Sequence, residues 1–297
     1  MLERVIETRL HDLGGGFEVG RVLPHRGRRM VGPFIFFDRV GPHDLVAPVP
    51  RTLDVRPHPH IGLSTVTYLF DGELTHRDST GVEQVIQPGA LNWMTAGSGI
   101  SHSERFDGLR ERGGHMDGIQ AWVAVPAANE EDRCSFAHHP AESLPRWEDD
   151  GVAACLIAGS AYGATSPALT HSPLFYLHVE MTTGARLSMP DGYEEGAVFV
   201  SRGSVEHEGT RYPAGRMLVF QPGSPAMMKA VEPTRLMLLG GDALGARHIW
   251  WNFVSSRKER IEQAKADWLA GRFRLPPGDD REFVPLPGGS SPTPQPM

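Results

Sequence analysis

Two short histidine motifs contain the residues of this chain that are best suited to chemistry. The first is His58-Pro59-His60, and the second is His102-Ser103-Glu104. If each motif lies on a β-strand, residues i and i+2 point to one face, so each strand presents two ligands side by side. Two such strands facing each other would gather three imidazoles and one carboxylate, a donor set that suits a divalent metal such as iron. The pattern therefore predicts a metalloprotein.

A cluster of hydrogen-bonded polar side chains is the alternative interpretation of these motifs. The chain has 14 histidines, and most histidines in proteins are not metal ligands. A His-x-His motif becomes stronger evidence when a His-x-Glu motif lies on a second predicted strand. His76 lies in a predicted turn, where we expect its side chain to be exposed rather than coordinated.

The residues between the two motifs predict short strands joined by tight turns. Residues 65–70 form a β-branched and aromatic run that ends at Asp71-Gly72, a strong hairpin signal. A further turn is predicted at residues 87–89, and residues 91–95 are apolar before the break at residues 97–99. Short strands of this kind are typical of a β-barrel.

A second segment repeats this order of strands and turns. Its sequence is AVFVSRGSVEHEGTRYPAGRMLVFQPG, at residues 197–223. We therefore expect two tandem barrels, an N-terminal metal-binding one over residues 1–130 and a C-terminal one over residues 131–297 that includes a terminal helix and tail. The second copy offers only the isolated histidines His171, His178 and His207, so we expect it to be free of metal.

The C-terminal region predicts a helix and then a polar tail. Ser256 and Glu259 have the spacing of a capping box, and Gly271 is placed to end the helix. Ile261, Ala264 and Trp268 fall on one face, which we expect to pack on a barrel. After residue 276 the chain predicts a strap, followed by a disordered end, SSPTPQPM.

Composition and charge exclude several classes of protein. Lys and Arg number 29 against 36 Asp and Glu, which gives a formal net charge of -7, and no basic cluster suits direct nucleic-acid binding. The first residues show no apolar signal segment, and no stretch approaches the length of a membrane span. We therefore expect a cytoplasmic protein, with Cys134 and Cys155 reduced.

Residues 56–104 resemble the signature of the pirin family, within the cupin superfamily. They are written RPHPHIGLSTVTYLFDGELTHRDSTGVEQVIQPGALNWMTAGSGISHSE. The likeness extends to LPHRGRRMVGPFIFFDRVGP near the N-terminus and to WNFVSS near the C-terminus. The resemblance implies an all-β fold of two cupin-type, jelly-roll-like barrels, with one metal ion in the N-terminal barrel. By position, its implied ligands are His58, His60, His102 and Glu104.

The same resemblance implies quercetin 2,3-dioxygenase activity, in which a flavonol or a related enolisable aromatic reacts with dioxygen. Glu104 would then also be the catalytic base that removes the proton of the substrate hydroxyl. Fe(II) is the expected ion, with nickel, zinc, manganese and copper as alternatives. The resemblance also implies an alternative role, a non-enzymatic iron-binding regulator whose redox state alters its affinity for a partner protein. The ligand set suits both roles.

Overall fold

The computed structural model describes residues 1–14, 16–224 and 226–288. Strands dominate these ranges. The strands up to residue 124 are β1 (Leu2–Glu7), β2 (Arg9–Asp12), β3 (Glu18–Leu23), β4 (Phe34–Leu45), β5 (Val55–His60), β6 (Leu63–Asp71), β7 (Leu74–Asp78), β8 (Glu83–Ile86), β9 (Leu91–Thr95), β10 (Ile100–Arg105) and β11 (Gly114–Ala124).

The later strands are β12 (Ser135–His139), β13 (Arg146–Asp149), β14 (Val152–Ala161), β15 (Ala164–Thr165), β16 (Leu174–Met181), β17 (Arg186–Ser188), β18 (Glu195–Arg202), β19 (Ser204–His207), β20 (Thr210–Pro213), β21 (Arg216–Phe220), β22 (Met227–Ala230), β23 (Thr234–Gly241), β24 (His248–Trp250) and β25 (Phe253–Ser255). One α-helix, α1 (Lys258–Leu269), follows them within the described ranges. The predicted all-β class with a C-terminal helix is confirmed. In the described part of the chain, no helix is both long and apolar enough to cross a membrane.

The predicted internal duplication is visible in the sheet topology. One large sheet has the strand order β12-β9-β6-β11-β4-β3-β2, and the other contains the order β1-β21-β18-β23-β16-β14-β13. Each is accompanied by a four-stranded sheet, in the order β5-β10-β7-β8 for the first and β17-β22-β19-β20 for the second. The four-strand segments β6–β9 and β18–β21 thus occupy matching positions in the two sets of sheets.

The chain forms two compact units that are not continuous in sequence. The unit that we call the histidine unit comprises residues 12–18, 40–138 and the described residues from 245 onward. The companion unit comprises residues 1–11, 19–39 and 139–244. Its core contains strand residues such as Leu177, Val198 and Leu238, all essentially inaccessible to solvent. Because each unit combines segments from both sides of residue 130, the simple boundary there stays a prediction.

The terminal helix lies in the histidine unit, and its assignment to the C-terminal barrel stays a prediction. Ile261, Ala264 and Trp268 are buried, as the periodicity predicts, in a cluster with Ile61 of the N-terminal sequence. Phe253 joins the same cluster and forms a parallel bridge with Ile61. Burial of a large apolar side chain such as Ile61, Ile261 or Phe253 contributes about 1.5–3 kcal/mol. The packing of the helix therefore follows the available apolar surface and not the position of the helix in the sequence.

The predicted capping box is wrong. The residue before the helix is Arg257, and it makes no side-chain capping hydrogen bond. The Ser256 hydroxyl instead donates to Glu130 Oε2 at 3.0 Å, and its backbone N–H donates to both Glu130 oxygens. Glu130 also pairs with Arg247 at 3.1 Å. A buried carboxylate from a distant segment therefore takes the hydroxyl that the local pattern assigned to the helix.

Candidate metal centre

Strands β5 and β10 bring the three predicted histidine ligands together. They are antiparallel neighbours in which His102 pairs with His58 and Ile100 pairs with His60. Residues paired in this way share a face of the sheet, so both imidazoles of the first motif point toward the same space as His102. All three side chains are buried, and their candidate ligand atoms lie within 4.8 Å of one another. The alternation predicted from the sequence is therefore present.

The imidazole nitrogens of this cluster are suited to a metal ion. His58 Nδ1–H donates to the Arg56 carbonyl at 2.9 Å, which leaves the lone pair of that ring at Nε2. Both ring nitrogens of His60 and Nε2 of His102 are buried without a hydrogen-bond partner. Such orphaned polar atoms cost about 1–3 kcal/mol each unless something binds them. Three neutral imidazoles with free lone pairs are the donors that zinc, iron, nickel and copper accept.

Burial keeps these rings neutral. It lowers the pKa of His58 to about 4 and holds the pKa values of His60 and His102 well below the usual value. Nearby imidazoles act in the same direction, because a second positive charge in the cluster would be repelled. A contact with the Asn252 backbone, whose geometry falls short of a full hydrogen bond, raises the pKa of His60, but by less than burial lowers it. At neutral pH the cluster therefore presents lone pairs rather than charges.

Glu104, the predicted fourth ligand, lies on the same strand two residues beyond His102. Its side chain is buried, but it is not part of the group whose ligand atoms lie within 4.8 Å of one another. A bulge between His102 and Glu104 shifts its partner on β5 to Val55. Burial raises the pKa of Glu104 to about 7, although a hydrogen bond with Thr67 lowers it somewhat. Its place as a ligand stays a prediction.

His76 is not an exposed turn residue, which corrects the sequence interpretation. It lies on β7, is 3% exposed, and its Nδ1 is 3.3 Å from His102 Nδ1. Its Nε2 lies 3.1 Å from Asp78 Oδ2. Burial would raise the pKa of Asp78, but hydrogen bonds from His76 and Thr80 hold it below the usual value. The i, i+2 rule that found His58 and His60 applies equally to His76 and Asp78, so the signal was present in the sequence.

The outer face of β10 is held by the C-terminal strap, residues 272–286. Ser101, Ser103 and Arg105 alternate with the inward residues of this strand. The Ser101 hydroxyl donates to the Arg274 carbonyl. Ser103 donates to Asp279 Oδ2 at 2.6 Å, and Arg105 forms two bonds with the same carboxylate at 2.6 and 2.8 Å. The described part of the tail is therefore a strap, as predicted; the end predicted to be disordered lies outside the described residues.

The three isolated histidines of the predicted second copy, His171, His178 and His207, occupy separate environments. His171 is exposed. His178 Nε2 lies 3.3 Å from Glu180 Oε1, and His207 Nδ1 lies 3.0 Å from the Met227 carbonyl. The half-buried ring of His178 and the buried ring of His207 thus each have a local polar contact. That the companion unit carries no metal stays a prediction.

Comparison with known proteins agrees with the observed fold. Residues 16–123 match the sequence model of the family described as Pirin, and residues 176–274 match that of the Pirin C-terminal cupin domain. A "Pirin-like protein" of Caulobacter vibrioides is 56% identical over 97% of this chain and 100% of its own length. A protein of Pseudomonas aeruginosa named "Putative quercetin 2,3-dioxygenase" is 36% identical over 93% of this chain and 86% of its own length.

Solved structures of other proteins share this fold. A crystal structure of quercetin 2,3-dioxygenase from Acinetobacter baumannii has a TM-score of 0.87 and 30% identity, and covers 97% of this chain and 95% of that one. A bacterial pirin from Escherichia coli in complex with nickel(II) shares the fold, with a TM-score of 0.59 and 13% identity over 81% of this chain and 99% of that one. With two cupin-like domains, a buried histidine triad on paired strands and a relative that is 56% identical over 97% of this chain, the chain belongs to the pirin family.

Proposed function

We propose that this chain is a metal-dependent dioxygenase that acts on a flavonol or a related enolisable aromatic. The observation that carries the proposal is the buried triad His58, His60 and His102, whose neutral rings offer unpartnered nitrogens within one small volume. The relatives named for quercetin 2,3-dioxygenase support the substrate class, since one of them matches almost the whole fold at 30% identity. A fold alone would not support it.

The three imidazoles would hold the ion, and Glu104 is the proposed fourth ligand and catalytic base. When bound, a redox-active divalent ion would supply Lewis acidity toward the substrate hydroxyl and the one-electron chemistry that dioxygen requires. We propose Fe(II), because imidazole and carboxylate donors accept it readily; nickel, zinc, manganese and copper suit the same donors. The choice among them in the cell is set by availability as well as by affinity.

The other walls of the site would exclude water and direct the carboxylate. Trp122 packs edge-on against the His60 ring, with centroids 5.1 Å apart. The Thr67 hydroxyl lies between the Glu104 carboxyl group and Gln120 Oε1, which is 2.7 Å away, and its single hydrogen can be donated to only one of them at a time. Glu104 therefore contacts a side chain from the large sheet. A carboxylate held beside the triad can take the proton of an enolic hydroxyl, which makes the oxygen a better metal ligand and a better electron donor.

Oxygen uptake by the metal-loaded protein tests this proposal. With iron-loaded full-length protein and a panel of flavonols, we expect oxygen consumption together with release of carbon monoxide. Glu104→Gln keeps an oxygen at the site but removes the base, so turnover should fall by about 10²-fold or more. The metal content of the variant, measured on the same sample, separates lost chemistry from lost metal.

Two results would contradict the proposal. Full activity in Glu104→Gln would exclude Glu104 as the base. Absence of turnover on every flavonol by protein that carries a full complement of iron would exclude the flavonol dioxygenase activity. In that event, redox-dependent capture of a purified candidate partner protein would test the regulatory role implied by the family resemblance.

A further inference from the structure

A line of three side chains leads from the candidate metal centre to a buried carboxylate. His102 Nδ1 lies 3.3 Å from His76 Nδ1, and His76 Nε2 lies 3.1 Å from Asp78 Oδ2. In the register of β10 and β7, His102 pairs with Asp78, and Glu104 pairs with His76. All four residues therefore share one face of the sheet. The line is part of the strand pairing and not a chance contact between loops.

The carboxylate determines the direction of each hydrogen bond along this line. Asp78 Oδ1 accepts from the Thr80 backbone N–H at 2.8 Å and from the Thr80 hydroxyl at 2.6 Å. An ionised carboxylate only accepts, so Oδ2 receives its hydrogen bond from His76 Nε2–H. A neutral imidazole with its hydrogen at Nε2 has its lone pair at Nδ1. In this neutral form, His76 Nδ1 accepts and His102 Nδ1 donates, whereas a doubly protonated His76 would donate from both nitrogens and reverse the contact with His102.

The orientation of the His76 ring is fixed independently of these hydrogen bonds. Phe136 stacks on it, with centroids 4.5 Å apart and an interplanar angle of 23°. His102 Nε2, the nitrogen left with the lone pair, is buried and has no hydrogen-bond partner. The predicted tautomer thus leaves its lone pair at the nitrogen that nothing else occupies.

We propose that Asp78 and His76 are positioning residues that set the tautomer of His102 and so keep its Nε2 lone pair available to a metal ion. The proposal rests on the metal site proposed above, in which His102 is a ligand. A partner on the second nitrogen of a ligand histidine fixes the ring and increases its basicity, and loss of such a partner typically weakens metal binding by about 10- to 100-fold. Here the partner is itself a histidine whose tautomer is set by a carboxylate.

The substitution Asp78→Asn tests this proposal because it should exchange donor and acceptor in each hydrogen bond from residue 78 through His76 to His102. The amide oxygen can still accept from Thr80, so the amide NH₂ faces His76 Nε2, which must then accept. His76 would carry its hydrogen at Nδ1 and donate to His102, which moves the His102 hydrogen to Nε2. We expect the His102 tautomer to change in metal-free protein labelled with ¹⁵N-histidine, and the affinity for zinc(II) to fall by about 10- to 100-fold. The His102 signals are assigned by their loss in His102→Gln.

Two further variants keep the test decisive. His76→Phe retains a ring to stack on Phe136 but removes the acceptor, and it should weaken zinc binding even if Asp78→Asn does not fold. Glu180→Gln is the matched control, because Glu180 also bonds a histidine two residues away on a strand, His178, in the companion unit. Glu180→Gln should leave the His102 tautomer and the zinc affinity unchanged.

The two readouts separate this proposal from the metal site on which it rests. If folded Asp78→Asn and His76→Phe both bind zinc as the unaltered protein does, Asp78 and His76 have no positioning role. A His102 hydrogen at Nε2 in the unaltered metal-free protein would overturn the proposal as well. If the unaltered protein binds no zinc, the metal site itself is wrong, and the tautomer measurement still decides what Asp78 and His76 do.

Discussion

The strap offers the strongest quantitative prediction about stability, through the carboxylate of Asp279. This side chain accepts hydrogen bonds from the Ser103 hydroxyl and from two nitrogens of Arg105, at 2.6 to 2.8 Å. The Arg105 side chain is 4% exposed and that of Asp279 is 14% exposed, so solvent screens the pair only weakly. In Asp279→Ala, Arg105 would keep only Asp54 at 3.4 Å and Glu282 at 3.0 Å.

We expect Asp279→Ala to lower the free energy of unfolding by about 2–4 kcal/mol. Hydrogen bonds to charged groups contribute about 1.5–3 kcal/mol each, and breaking a buried ion pair costs about 3–5 kcal/mol, here reduced because Arg105 keeps other partners. At about 2–4 °C per kcal/mol, the melting temperature should fall by roughly 4–16 °C. Thermal and urea unfolding followed by circular dichroism measure this effect. Asp280→Ala, which changes an adjacent exposed carboxylate, is the control.

The pH dependence of this difference has a defined sign. Burial would raise the pKa of Asp279, but the hydrogen bonds from Arg105 and Ser103 outweigh it and lower the pKa in the folded protein. A lowered folded pKa gives stability that is present above the unfolded value of about 3.9 and is lost as the pH falls through the folded value. The difference in unfolding free energy between the unaltered protein and Asp279→Ala should therefore have its full value at neutral pH and decrease below about pH 4. Equal melting temperatures for Asp279→Ala and Asp280→Ala at pH 7 would refute the reasoning.

Three further predictions concern the ligands, the helix and the companion unit. His60→Gln removes a ring nitrogen from the cluster, and elemental analysis should show strongly reduced metal content with an unchanged circular dichroism spectrum. Trp268→Ala removes a buried ring that also donates to the Val284 carbonyl at 3.1 Å, and urea unfolding should show a loss of about 3–5 kcal/mol. Replacing the three isolated histidines of the predicted second copy together by Gln should leave the metal-to-protein ratio unchanged; a lower ratio would contradict the assignment of the metal to the histidine unit. These histidines are His171, His178 and His207.

The histidine triad could be predicted from the sequence because it depends on the alternation of neighbouring side chains along each strand. Alternation along a strand places His58 and His60 on one face, and the same rule places His102 inward on a second strand. The pairing of those two strands, with His102 opposite His58, required only that they be neighbours. The duplicated order of strands and turns was also local, since it depends on Gly-containing turns at regular spacing.

The sequence does not readily place His76 and Asp78 on a strand, because the residues that follow them favour a turn. Asp78 is followed by Ser79, Thr80 and Gly81, residues that favour turns. In the structure, this turn begins only after the strand has presented both side chains to the interior, and Thr80 uses its turn geometry to bond Asp78. A His-x-Asp motif that ends at a turn therefore still has both side chains on one face.

Other features depend on contacts that no local pattern contains. Ser256 is 126 positions from the Glu130 carboxylate that takes its hydroxyl, and Arg105 is 174 positions from Asp279. The helix joins the histidine unit because Ile61 and Phe253 leave apolar surface there. Which distant carboxylate or apolar face is available follows from the assembled fold. The capping-box error and the packing partners of the helix could therefore not be found from the sequence alone.

The central claim is that one metal ion is held by the histidine unit of each chain. Crystals of protein purified without chelator, measured on both sides of the absorption edge of the metal identified by elemental analysis, test it most directly. We predict one anomalous peak per chain, at bonding distance from His58, His60 and His102 and with Glu104 as the fourth protein ligand. An absent peak at the triad, or a second peak of equal height in the companion unit, would contradict the account.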